Sequence, residues 1–434
     1  MRRSLLFGLA ALAFSAPVVA QAVPEDASAR RVPMGYRRTP MFGVDPFRHV
    51  MIPHWGFVIT SGFTGGNNAF TLEDIGAITY LDSNDEVRVG DVIDALTLIP
   101  QGQGLLGTGQ AEAGAYLGLS LGSRFMLGIS ASGRGYGSFT VDDNGVALLR
   151  DGNGARQDFT LGQSHVSFVS TGELGAHTVI RAGSSRSMQL AFGFGLRLVR
   201  PALYFDARSL LENGGTFRAT GDSLSANLAF EILSTVEGDD VFGDLTDRVK
   251  GSIDGSSGLL ADLLVRAEWP SSGVAIEAML VNVGTAINFT QVARRIDSLD
   301  VQTTSLDSLR ESFDDLDFDV RDSVEASVIL PRIARAAASV WANNILQLDF
   351  AATGSLGGDV DIPFAFDIGS TLRLVRHIPL RAGIVLGGRQ NLGYSGGIGI
   401  ESRNFLLQIS GQSLGGFMKS ATGVGGRLDF GFFF

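Results

Sequence analysis

A transmembrane antiparallel up-and-down β-barrel, all-β in class, is the fold this sequence predicts, and three observations predict it. Apolar residues recur at every second position in many short runs. Tight polar turns and long connections alternate along the chain. The last eight residues form an amphipathic strand, with Leu428, Phe430, Phe432 and Phe434 on one face and Arg427, Asp429 and Gly431 on the other. Successive strand side chains point to opposite faces. A row of large apolar groups opposite charge and glycine therefore suits hydrocarbon on one side and water on the other.

The N-terminal end reads as an export signal. Arg2 and Arg3 form a positive head, Leu5 to Phe14 a short apolar run, and Pro17-Val18-Val19-Ala20 a small-residue cleavage site. Residues 1–20 are thus a signal peptide, with cleavage after Ala20 or after Ala22, and the run is too short to span a bilayer as a helix. Loss of Arg2 and Arg3 takes the net charge from −11 to −13. An acidic surface argues against a nucleic-acid partner, whose phosphates demand basic groups. The chain is 45% hydrophobic, with 57 glycines and no cysteine. The apolar content is dispersed, as lipid-facing strands require, and neither a disulfide framework nor a thiolate metal site is available. The expected location is the outer membrane.

Residues 21–54, rich in Pro and Arg, show no sustained period. They read either as a periplasmic arm or as a plug in the barrel mouth. The barrel proper spans 55–434. From Trp55 the runs succeed one another: Trp55-Phe57-Ile59, Ala113 to Leu121, Phe125 to Ala131, Leu174 to Ile180, and the cleanest, Met188-Leu190-Phe192-Phe194-Leu196-Leu198. Further rows begin at Leu263, Val274, Leu346, Ser370, Ala382 and Phe405. Tight turns fall at 121–124, 184–186, 270–273, 342–344, 376–379 and 401–404, and long connections at 64–111, 140–165, 200–257, 283–331, 354–366, 388–395 and 412–421. Short periplasmic turns and long extracellular loops sort in this way. Leu224, Ala226, Leu228, Phe230 and Ile232 alternate inside 200–257. A hairpin there makes the total 16 strands; without it the total is 14.

Two connections carry helical spacing: 89–96, and 290–325, where Ile296, Leu299, Leu306, Leu309, Phe313 and Leu316 recur among acidic residues from Asp297 to Asp322. The second reads as an acidic amphipathic lid, or as a surface for calcium or a partner.

Leu330-Pro331-Arg332 leads into one strand, Leu346-Gln347-Leu348-Asp349-Phe350 is the next, and IPLRAGIVLGG (378–388), YSGGIGIESRNFLLQIS (394–410) and the final strand follow. This order resembles the C-terminal half of the FadL-like outer-membrane barrel superfamily, the long-chain fatty-acid and aromatic-hydrocarbon transporters. It is similar more closely to an uncharacterised Gram-negative barrel family within that superfamily. The likeness covers roughly 320–434, with a weaker echo at MIPHWGFVITSGF (51–63). It implies a passive channel for small hydrophobic solutes. It also implies that Leu428, Phe430, Phe432 and Phe434 are the signal read by the barrel assembly machinery. The NPA element of the transporters' plug is missing, which puts their gate in doubt. Secretion-associated barrels share the C-terminal pattern, so a structural barrel whose acidic loops bind a partner is the other reading.

Motifs for chemistry are thin. Gly102 to Gly107 match G-x-G-x-x-G but precede a strand rather than a helix. Gly393 to Gly397 match G-x-S-x-G around Ser395 at what reads as a hairpin tip, not at a strand-to-helix elbow. Asp142-Asp143-Asn144-Gly145 and Asp151-Gly152-Asn153-Gly154 read as turns, since the terminal glutamate of a calcium loop is lacking. No catalytic residue, metal site or cofactor is expected. Strand parity instead points Glu173, His177, Arg181, Gln189, Arg197, Arg266, Glu268, Glu277, Gln347, Asp349, Arg373, Arg381, Gln408, Arg427 and Asp429 into the lumen, as an interior ion-pair network or as the lining of a solute path. Outside the protein, the expected contacts are outer-membrane lipid, the assembly machinery and a small hydrophobic solute.

Overall fold

The computed structural model describes residues 45–47, 50, 55–74, 97, 99, 102–122, 124–151, 158–160, 162, 164–183, 188–211, 214–220, 223–235, 255–303, 320–342, 345–375, 377–402 and 404–434. The signal peptide, most of the 21–54 segment and the helical spacing at 89–96 lie outside the described residues. Among those described, no helix is long and apolar enough to cross a membrane.

The wall begins with β1 (Trp55–Asn67), β2 (Leu105–Leu121) and β3 (Phe125–Val141). Helix α1 (Asp143–Asp151) and the short β4 (Asp158–Thr160) precede two long strands, β5 (His165–Gly183) and β6 (Gln189–Ser209). β7 (Thr216–Thr220), β8 (Ser223–Ser234) and β9 (Gly255–Ser256) occupy the next connection, before β10 (Gly258–Trp269) and β11 (Val274–Gly284). β12 (Ile287–Thr303) and β13 (Val320–Val328) make the last long excursion. Seven short strands finish the chain: β14 (Ile333–Trp341), β15 (Leu346–Ser355), β16 (Ala365–Val375), β17 (Ile378–Gly387), β18 (Leu392–Glu401), β19 (Phe405–Leu414) and β20 (Gly423–Phe433).

Fourteen of these strands form a closed antiparallel ring, β1-β2-β3-β5-β6-β10-β11-β14 and on through β20, which pairs back onto β1 from Gly56↔Phe433 to Gly66↔Gly423. Closure leaves no sheet edge in the wall, the condition for a sheet to stand in lipid. Every short turn lies at one end of the ring and every long connection at the other, because an antiparallel ring reverses at each step. At the short-turn end Gly122 takes φ +71°, which glycine tolerates and which lets β2 and β3 reverse in a few residues.

The count of 14 strands holds, and the alternative of 16 is corrected. A hairpin does form at β7–β8, but it stands off the ring. β8 pairs with the far end of β6 (Phe205↔Ser234 to Ser209↔Phe230) and with β12, and β7 pairs with β4. The strands β4-β7-β8-β12-β13 thus extend the sheet from the far end of β6 at the long-loop end, and Phe289 and Val292 of β12 pack into the same core as Val199 and Tyr204. The helical reading of 290–325 is corrected where it is described: residues 290–303 belong to β12, and 304–319 lie outside the described residues. Cross-strand pairing with β8 overrides the three- and four-residue spacing, and Leu299 packs against Ala226 and Leu228. Asp142 is no ordinary turn residue but caps α1, its carboxylate accepting from the Asn144 N–H at 3.0 Å. Ser395 lies inside β18 rather than at a tip.

Alternation sorts the side chains. On β6, Phe192, Phe194, Leu196 and Leu198 are exposed on the outer face while Arg197 and Val199 are buried. Burying each such apolar side chain away from water is worth about 1.5–3 kcal/mol, and here only acyl chains can supply the burial. Inside, an apolar core runs from Met126 and Val179 through Val169, Val199 and Tyr204 to Phe289, Val292 and Leu330.

Candidate functional site

The interior carries a belt of alternating charges. Arg197 reaches Asp262 through Nε and Nη2, both at 2.7 Å, and gives Nη1 to Glu173. Glu173 also accepts from Arg134 Nη1 at 2.8 Å, and Arg134 Nη2 lies 3.2 Å from Glu112. Glu112 stands 3.9 Å from Arg427, whose Nε bonds Asp429 at 3.1 Å, and Asp429 accepts from the Thr60 hydroxyl at 2.6 Å. The belt therefore crosses β10, β6, β5, β3, β2, β20 and β1 without a missing link. Charges taken out of water need such pairing, since an uncompensated buried ion costs several kcal/mol.

Strand register makes room for it. Arg197 lies opposite Gly175, and His177 lies between Gly128 and Gly195 on the neighbouring strands. The backbone at Asn282 supports the far end. Its φ is +64°, its N–H donates to Asp262 at 3.1 Å, and its side chain bridges Arg197 to the Pro331 carbonyl. His177 Nε2 sits 3.4 Å from Asp262.

Two further clusters complete the inner face. Arg266 pairs with Glu277 at 3.3 Å and approaches Glu268 at 4.0 Å. Glu401 receives Arg373 at 2.6 Å and also Arg381. Gln347 donates to Asp349 at 2.7 Å, and Gln408 is buried opposite Asp429. Arg181 and Gln189 are half-buried near the end of β5 and at the start of β6, away from the belt. Glu112, Arg134, Asp262, Asn282, Arg335 and Glu401 were missed by the sequence reading. Their signal was present in parity: Arg134 is in step with Met126 and Gly128, and Asp262 with Leu264 and Arg266.

A short piece of the N-terminal segment lies within this interior. Phe47 is fully buried and meets the His177 ring edge-on, with centroids 5.6 Å apart and planes at 81°. It fills a socket at Gly193, where an added Cβ would fall 2.8 Å from the Phe47 ring. Val50 fills a second socket at Gly128, where an added Cβ would meet Val50 Cγ2 at 2.7 Å. Asp45 fixes the turn by accepting the Phe47 N–H at 3.2 Å, and its other oxygen lies 3.6 Å from Arg335 on β14.

The chain is similar to solved transport barrels. The toluene transporter TbuX of Ralstonia pickettii matches 88% of this chain and 90% of its own, at 10% identity and TM-score 0.44. A FadL homologue from Pseudomonas aeruginosa matches 89% and 91% at 12% identity and TM-score 0.42. The Pseudomonas putida toluene transporter TodX matches 88% and 90% at 7% identity and TM-score 0.44. No family model and no curated protein matches the sequence.

Proposed function

We propose that this chain is an outer-membrane channel for small hydrophobic solutes, exported by residues 1–20 and held shut by the segment around Phe47. The seating of Phe47 and Val50 in two glycine sockets of the wall carries the reading. Side chains packed against backbone where a methyl would clash form a fitted stopper rather than a passing arm, which favours the plug for 21–54. Beyond it Val169, Val199, Tyr204, Phe289 and Val292 pack into an apolar core. In this proposal an apolar solute that parts these side chains passes without the ~2–7 kcal/mol cost of stripping water from a polar group. In the same proposal, the outward row Leu428, Phe430, Phe432 and Phe434 presents the strand to the assembly machinery.

The test exploits the absence of cysteine. An added Cβ at Gly128 lies 3.5 Å from Val50 Cβ, within the range a disulfide bridges. In proteoliposomes, Val50→Cys/Gly128→Cys passes no benzene-sized hydrocarbon when oxidised and regains wild-type flux on reduction. Equal flux in both states sinks the stopper, and no flux in either state sinks the channel reading. Without flux a partner-binding barrel stands, favoured by the sheet extension at the long-loop end, which carries Asp297 and Asp300 on β12.

A further inference from the structure

On the inner wall Glu173, Asp262, Glu277, Glu401 and Asp429 each meet an arginine, and Asp349 accepts from Gln347. Asp367 on β16 has neither an ion pair nor a hydrogen bond among the described residues. Arg335, two strands away on β14, is the cation whose charge bears on it, and that guanidinium is engaged by Asp45 at 3.6 Å. Strand alternation nevertheless turns Asp367 inward. It is in step with Gly369 and Thr371, both buried, and lies opposite Ala351 on β15 and Val385 on β17, buried as well. Counted from the long-loop end it is the third residue of β16, and it is half-buried, so water reaches it at that mouth of the ring.

A hydroxyl stands beside it. Ser395 on β18 leans over Gly383, where an added Cβ would fall 2.7 Å from its Oγ, and Gly383 in turn lies opposite Gly369. The carboxylate and the hydroxyl therefore share one face, a register step apart, above two glycines whose place a side chain would fill. Ser395 has no hydrogen-bond partner among the described residues. This is the serine of the Gly393 to Gly397 motif, and its register brings it no imidazole: opposite it are Gly383 on β17 and Gln412 on β19.

We propose that Asp367 and Ser395 form a subsite for the ammonium group of a small apolar amine. A primary ammonium carries three donors. The Asp367 carboxylate takes the charge and one donor, the Ser395 hydroxyl accepts another, and Ala351 and Val385 face the hydrocarbon part of the ligand. A carboxylate held partly out of water without a cation is costly, and a bound ammonium offsets that cost. The negative net charge of the chain, −11, draws cations rather than anions to the mouth. One carboxylate and one hydroxyl are too few oxygens for calcium, which takes about 6–8. The subsite rests on the channel reading for its role in passage and names a solute class within it, hydrocarbons that bear an amine.

Calorimetry on the full-length barrel in phosphatidylcholine nanodiscs tests this with benzylamine, a cation at neutral pH, against benzyl alcohol, its uncharged counterpart. Asp367→Asn is expected to weaken benzylamine binding by about tenfold or more, the scale of a hydrogen bond to a charged group, and to leave benzyl alcohol unchanged. Equal benzylamine affinity in the two proteins overturns the subsite. Ser395→Ala should bring a smaller, several-fold loss, and no loss removes the hydroxyl from the proposal. Stability gives a second reading without any ligand. A carboxylate that has no partner gives nothing up on becoming an amide, so Asp367→Asn should unfold in urea no earlier than the wild type. A variant that folds poorly or unfolds earlier would reveal a partner for Asp367 and overturn the proposal. Hydrocarbon flux in proteoliposomes is read separately: amine binding without flux keeps the subsite and ends the channel reading, whereas flux with no Asp367-dependent binding ends the subsite alone.

Discussion

Arg197 on β6 grips Asp262 on β10 with two parallel bonds of 2.7 Å, Nε to Oδ2 and Nη2 to Oδ1, and both side chains are almost wholly buried. The planar guanidinium suits a carboxylate in this fork, and a lysine would not reproduce it. Because Arg197 also serves Glu173, it joins the β10 end of the belt to the rest.

Arg197→Met leaves Glu173 and Asp262 with a cation fewer in a site that excludes water. The expected loss is about 3–5 kcal/mol, read from reversible urea unfolding in detergent. Arg197→Lys recovers only part of it. A loss below about 1 kcal/mol for the methionine variant, the scale of an exposed pair, would mean that water reaches the belt.

The outer face gives a depth-dependent prediction. Phe194 stands in the middle of the exposed row on β6, whereas Trp55 stands at the short-turn end of β1. Phe194→Arg is expected to cost about 2–4 kcal/mol and Trp55→Arg, beyond its lost packing, about 0–1 kcal/mol. Refolding titrations in lipid vesicles check the ratio, and equal charge costs would contradict the assigned membrane depth.

The sheet extension at the long-loop end answers to pH. Burial pushes the Glu231 carboxyl up, but hydrogen bonds from Arg208 and Arg294 outweigh it and hold the group below its ordinary value. A carboxylate depressed in the folded state contributes stability above its unfolded pKa of about 4.3, lost as pH falls through the lower folded value. Amide protection factors in β8 and β12, taken against the intrinsic rate at each pH, should therefore fall from about pH 4 downward, and Glu231→Gln should flatten that response. An acid response unchanged in the glutamine variant would assign it to another group.

Trp55 and Phe434 lock the seam. Their rings stack at 4.1 Å with planes at 15°, and the Phe434 N–H donates to the Trp55 carbonyl at 2.9 Å. Alanine at both positions should show a coupling of about 0.5–1.5 kcal/mol in a double-mutant cycle. Additive effects would reduce the stacking to coincidence.

How far the sequence alone could go is visible in particular residues. Period-two runs place Phe192, Phe194 and Leu196 outward and Arg197 inward, since a strand offers only two faces and lipid tolerates only one kind of side chain. Turn length placed the short and long ends equally well. Parity cannot tell a wall strand from a strand of an off-ring sheet, and this is why Leu224 to Ile232 left the count open. Local spacing also misled at Ile296 and Leu299, whose partners Glu231 and Leu228 lie far back in the chain on β8. Within the site, direction was readable and partnership was not. Nothing in the sequence near Glu173 announces Arg134 and Arg197, which reach it only once three strands have found their register.

The ring is joined by its first and last strands, Thr60 to Asp429 among others. A nascent chain cannot begin to seal it: until Gly423–Phe433 has emerged, β1 and β19 each present a bare ladder of amides and carbonyls. Any message cut short upstream of that segment yields an unzipped sheet with two sticky borders instead of a smaller pore. Quality control in the cell envelope thus faces an all-or-nothing product, and nonsense alleles late in the reading frame should be as damaging as early ones.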